Sequence, residues 1–127
     1  MTERKIIQTE NAPRAIGPYS QSVLAGNTLY ISGQLGMDPD TGKMVQGGVT
    51  AQTRQAIENV KAILAQADMT LQNIVRVEVF LADIQDFSSM NEVYASYFTE
   101  QFPARAAFEV ANLPASGLIE IMVTAVK

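Results

Sequence analysis

The sequence predicts an α+β domain, one sheet with two helices on one of its faces. Three observations carry this reading. Two segments, 50–68 and 87–101, repeat apolar residues at helical period. Six shorter apolar stretches, 4–8, 21–25, 28–33, 74–82, 104–111 and 118–126, read as strands. Their order is βββαβαββ, and two amphipathic helices suffice to cover one face of such a sheet.

Each element has its own warrant. The first strand centres on Ile6 and Ile7 and runs into "NAPRAIGPYS", an irregular loop punctuated by Pro13, Gly17 and Pro18. Gly26-Asn27 separates the next two strands as a hairpin break. "DPDTG" (38–42) is a turn, with Pro39 fixing φ and Gly42 free to turn left-handed. In the first helix, Ala56, Ile57, Val60, Ile63, Leu64 and Ala67 form the apolar stripe. In strand 74–82, Val75, Val77, Val79 and Leu81 share a face that is expected to be buried. Asp86 is the expected N-cap of the second helix, whose stripe is Phe87, Met90, Tyr94, Tyr97 and Phe98. "PARAAFEV" (103–110) reads as a small buried strand with one charge at its head. The last strand is apolar on both faces, so its second face needs a cover, and self-association is the simplest one.

Composition narrows the chemistry. The chain of 127 residues is 47% hydrophobic, enough for one domain with a real core, spanning 1–127. Histidine and cysteine are both absent. That excludes a disulfide, a Ser-His-Asp triad and a cysteine nucleophile, and it removes the usual zinc ligands. Acid–base work falls to Asp, Glu, Tyr, Lys, backbone or water. A formal net charge of −4 with scattered cations argues against general nucleic-acid binding. The N-terminus lacks the apolar core of a secretory signal and no stretch has the length of a membrane span, so the expectation is a soluble, cytoplasmic protein.

Four residues break the pattern. Glu120 interrupts an apolar face of the last strand. Arg105 is, with Arg76, one of the only cations between Lys61 and Lys127. Asn91 stands four residues after Phe87 and three before Tyr94, within the apolar stripe of its helix. Glu109 lies on the strand face that carries Arg105 and Ala107. Arg105 and Glu109 could pair at a solvated rim, where a pair is worth little. Alternatively, an arginine in a partly desolvated cleft captures a carboxylate bidentately, and a glutamate in apolar surroundings handles a proton from water or substrate. A simple hairpin of the last two strands would put Arg105 beside Ala125. Glu120 would then lie about five residues along, roughly 16 Å away. Either these strands are not neighbours or the site combines different chains.

The chain resembles the YjgF/Rid family of reactive-intermediate (2-iminobutanoate/2-iminopropanoate) deaminases. The likeness rests on "NAPRAIGPYSQ" (11–21), "YISGQ" (30–34), "QTRQAIENVKAIL" (52–64), "VEVFLADIQDFSSMNEVYASYF" (77–98), "FPARAAFEVANLP" (102–114) and "IEI" (119–121). The resemblance implies a chorismate-mutase-like domain, assembled as a homotrimer around a sheet-lined barrel with clefts between subunits. It implies cofactor-free hydrolysis of small imine and enamine acids to 2-oxo acids and ammonia, protecting pyridoxal-phosphate enzymes from damage. By that likeness, Arg105 binds the substrate carboxylate and Glu120 positions or activates water. Tyr19 closes the cleft from a neighbouring subunit. Gly33 lets backbone approach the ligand, Asn91 holds supporting loops, and backbone near Ala107 meets the substrate nitrogen. Many relatives carry Ser-Cys where this chain has Ala106-Ala107, so thiol regulation there is excluded. The alternatives are a non-catalytic trimer that senses 2-oxo acids, and RNA cleavage or translation inhibition, which the acidic charge disfavours.

Overall fold

The computed structural model describes residues 3–127. Its elements follow the expected order: β1 (Arg4–Ile7), β2 (Ser22–Ala25), β3 (Thr28–Leu35), α1 (Gly48–Gln66), β4 (Ile74–Leu81), α2 (Phe87–Tyr97), β5 (Ala104–Glu109) and β6 (Ile119–Val126). Short 3-10 turns precede β4, α2 and β6. The sheet runs β1-β2-β3-β6-β4-β5, antiparallel except for the parallel pair β4 and β5.

The C-terminal strand is therefore central. β6 pairs with β3 on one side and β4 on the other, and β5 is an edge. The simple hairpin of the last two strands does not form, because β4 lies between them. Ile119, Ile121, Val123 and Ala125 turn one face of β6 into the core, where they meet Val77, Val79 and Leu81 of β4. Ala56, Ile57, Val60, Ile63 and Leu64 of α1, with Met90 and Tyr94 of α2, cover that layer. Burial of a large aliphatic side chain contributes about 1.5–3 kcal/mol. No helix among the described residues is long and apolar enough to cross a membrane.

Several boundaries differ from expectation for local reasons. α1 stops at Gln66 because Asp68 takes a left-handed φ of 57°, the usual way a helix ends. α2 stops at Tyr97, not 101: Phe98 turns extended and stacks back on Tyr94 at 4.4 Å. Asp86 makes no side-chain cap, and Asp83, one turn earlier, accepts from the Gln85 amide at 2.9 Å. Val75 is exposed because the β4–β6 register slips between Ile74 and Arg76, so the buried residues there are Ile74 and Val77. "PARAAFEV" is not a buried strand: every residue of β5 except Ala107 is exposed. Its small side chains leave an edge strand uncovered within the single chain.

The second face of the sheet has no helix. Ile6, Tyr30, Phe108 and Val126 stand exposed there or at its rim. Phe108 packs edge-on against Phe80 at 5.3 Å. Glycine matters where α1 crosses β3: a Cβ on Gly36 would lie 2.5 Å from the Gln52 Cα, so only glycine permits this approach.

Candidate functional site

The six residues expected at a site divide into two groups on opposite faces of the sheet. Parallel pairing gives opposed residues the same face, so Arg105, Ala107 and Glu109 share the helix face with Val77, Val79 and Leu81. Asn91 comes down from α2 onto this group. Glu120 pairs with Phe80 and so belongs to the open face, with Gly33 and Tyr19. Arg105 and Glu120 are two strand spacings and three residues apart, about 14 Å between backbones. Within one chain they do not meet.

On the helix side, Arg105 is held from three directions. Its Nη1 donates to Asn91 Oδ1 at 2.7 Å. The guanidinium carbon lies 4.6 Å from the centroid of the Tyr94 ring and 5.6 Å from that of Phe87. Among the described residues no carboxylate pairs with it, the ion pairs being Lys61–Glu58 and Arg76–Glu78. The rim pair with Glu109 does not form, because the Glu109 carboxylate accepts from the Ile84 amide at 2.9 Å. Asn91, expected to support loops, is the residue that accepts the hydrogen bond from the arginine. Ala107 is half-buried between Arg105 and Glu109. The Val110 amide donates to Leu81, towards β4. Alternation along the strand therefore points the Ala107 amide and carbonyl outward, off the sheet edge.

On the open side, Glu120 lies in a groove of about 580 Å³ with Tyr19, Gly33, Ile16, Pro114 and Met122. Its carboxylate rests on Gly33, where a Cβ would come within 2.7 Å of Cδ and 2.9 Å of Oε2. Gly33 sits where the β3–β6 register shifts, between Ile31 and Gln34. The expectation for Gly33 is an approach to the ligand; the close contact found here is with the Glu120 side chain. Burial raises the pKa of Glu120 above the ordinary carboxylate value. The Tyr19 hydroxyl accepts from the Ile16 amide at 3.3 Å, which sets one wall of the groove. The loop behind that wall hangs on buried Gln21, whose Nε2 donates to the carbonyls of Thr9, Ala12 and Pro13. Ala115 and Ser116 have φ of 54° and 55°, so strained backbone flanks the same groove.

Sequence reasoning missed Phe87 and Tyr94 as site residues and assigned them to the core stripe. The polar Asn91 between them, at i+4 and i−3, was the available signal. Gln21 gave no signal, since nothing local marks a glutamine that organises a distant loop.

Comparison with known proteins places the fold in a family. Residues 9–127 match the family described as Endoribonuclease L-PSP. A 2-iminobutanoate/2-iminopropanoate deaminase of Bos taurus is 55% identical over 98% of this chain and 90% of its own. The yjgF gene product of E. coli superposes with a TM-score of 0.92 at 47% identity, covering 97% of this chain and 98% of that one. E. coli TdcF, solved with bound serine, gives 0.92 at 40% identity over 97% and 98%. A match over nearly the whole chain, at such identities and with the same fold, makes the protein a member of the L-PSP family, the YjgF/Rid group.

Proposed function

We propose that this chain is a 2-iminobutanoate/2-iminopropanoate deaminase acting as a homotrimer, with each site built between two subunits. The observation that carries the reading is the state of Arg105. It is oriented by neutral groups and, among the described residues, left without a carboxylate partner, as an anion-binding arginine requires. The apolar residues on the helix-free face and the separation of Arg105 from Glu120 both ask for a second copy.

In this mechanism the substrate carboxylate docks on Arg105, and an enamine acid reacts as its imine tautomer. A water oxygen bonds to the C=N carbon as Glu120 takes one of its protons and passes it to the imine nitrogen, giving the carbinolamine. The carbinolamine then collapses. Glu120 takes its hydroxyl proton, the carbon–oxygen double bond forms, and the carbon–nitrogen bond breaks as Glu120 delivers that proton to the departing nitrogen. The products are a 2-oxo acid and ammonia, and no oxidation state changes. Fixing water and imine in one cleft is the main source of acceleration. The outward amide and carbonyl of Ala107 are suited to the substrate nitrogen, and the Ala106-Ala107 pair leaves that backbone role intact. Removal of such reactive acids is the damage-control role in which pyridoxal-phosphate enzymes benefit.

The test supplies the imine in situ from a serine or threonine dehydratase and follows its decay directly. Faster decay with this protein is expected, and equal decay with and without it overturns the proposal. A second reading, a trimer that binds 2-oxo or amino acids without turnover, is favoured by the serine-bound structure of the TdcF relative. It predicts 2-oxobutanoate binding with no acceleration in the same assay.

A further inference from the structure

We infer that Phe87, Asn91 and Tyr94 form a neutral clamp that orients Arg105 while leaving its charge free for the substrate, with Asn91 and Tyr94 as its main positioning residues. The inference rests on the carboxylate-binding role proposed for Arg105. The three side chains stand at i, i+4 and i+7 of α2, one stripe directly above the arginine. Two supply ring faces to the guanidinium and one supplies a 2.7 Å hydrogen bond. None carries charge. An aspartate at 91 would make the same hydrogen bond but would also neutralise the arginine and compete with an incoming carboxylate. An asparagine fixes the plane of the guanidinium and leaves its other N–H edges for a ligand.

Tyr94 explains how the clamp stays rigid. Its ring is stacked on Phe98 at 4.4 Å and buried, so the platform beneath Arg105 does not swing away. Its hydroxyl is buried and has no hydrogen-bond partner among the described residues. An inaccessible hydroxyl cannot touch substrate, so the ring face is the working part. Burial raises the pKa of this hydroxyl, with Arg105 opposing the shift, which keeps the ring neutral at physiological pH.

The experiment uses the full chain in its native assembly and has two readouts. The first is the Arg105 guanidinium in ¹⁵N NMR of the ligand-free protein: one ordered set of N–H signals in the wild type, exchange-averaged signals in Tyr94→Leu. The second is affinity for 2-oxobutanoate alongside imine turnover. Tyr94→Leu and Asn91→Asp are each expected to weaken 2-oxobutanoate binding and raise KM by about tenfold, with kcat falling far less. Tyr94→Phe is expected to behave as wild type in both readouts. Phe87→Leu, a less buried site, gives the same direction at smaller amplitude should Tyr94→Leu not fold. Wild-type affinity in folded Tyr94→Leu or Phe87→Leu and in Asn91→Asp overturns the clamp, as does Tyr94→Phe behaving like Tyr94→Leu. If instead the wild type and Arg105→Ala bind 2-oxobutanoate equally poorly, the carboxylate-binding role itself fails. The ligand-free guanidinium spectrum then still decides whether the clamp exists.

Discussion

Arg105 lies on an exposed edge strand, and its position is set by a helix that touches it with two rings and an amide. Glu120 lies on the central strand in a groove on the other face, pressed onto a glycine, with no ion-pair partner among the described residues. The difference matches two chemical tasks. Recognition of a carboxylate needs a charge that is oriented and not yet neutralised, so accessible N–H edges and neutral supports serve it. Proton handling needs a group whose charge is disfavoured enough to be exchanged near working pH, so desolvation serves it. Placing the two on opposite faces keeps the cation from lowering the glutamate's pKa within one chain; in the proposed assembly, a second chain would bring them together.

The sharpest way to break this comparison is to separate the halves genetically. Arg105→Ala and Glu120→Gln are each expected to lower imine hydrolysis by at least about a thousandfold. Dissociated and reassembled as an equal mixture, the two variants should recover about a quarter of wild-type activity, because random assembly restores both groups at one interface in four. No recovery in a verified mixed assembly would show that the two groups do not work across an interface.

Gly33→Ala probes the Glu120 half alone. The new Cβ collides with the end of a side chain, at 2.7 Å from Cδ, so the carboxylate shifts and the fold gives little. A loss of about a hundredfold in kcat is expected, with about 1 kcal/mol in stability by denaturant unfolding. Binding of 2-oxobutanoate should hardly change, since the arginine half is untouched. A proportionate loss of binding and turnover would mean that the halves are not separable.

The smallest effect concerns pH. The folded pKa of Glu120 is raised by burial. The wild type thus gains stability from its protonated form in acid and loses that contribution as pH rises through the folded pKa. Glu120→Gln removes the penalty of holding a desolvated charge. It should melt up to a few degrees higher than the wild type at neutral pH, with the gap closing below the unfolded carboxylate pKa. A gap that widens in acid would reverse the assigned sign.

Much of the fold was legible because its signals are local. Apolar period marked both helices and all six strands, and their order held without exception. What escaped depended on contacts distant in sequence. Val75 obeys the alternation of its strand and is still exposed, since a register slip against β6 decides its face. Asp86 looks like a cap but is the last residue of a 3-10 turn that Asp83 has already capped. The last strand is apolar on both faces; its neighbours β3 and β4 pair with its edges, and they leave open what covers its second face. Of the site, Arg105, Glu120 and Asn91 stood out as breaks in periodicity, whereas Tyr94 hid because an aromatic on an apolar stripe looks like core.

The sequence by itself determined the elements, their order, the family and the residues of unusual chemistry, because each is written in neighbouring positions or in motifs of fixed spacing. Only the tertiary structure decided that β5 is an edge, that β6 is central, and that Arg105 and Glu120 face away from each other. Strand order and facing are set by pairings between segments far apart in the chain. A local period has nothing to say about which partner a strand will choose.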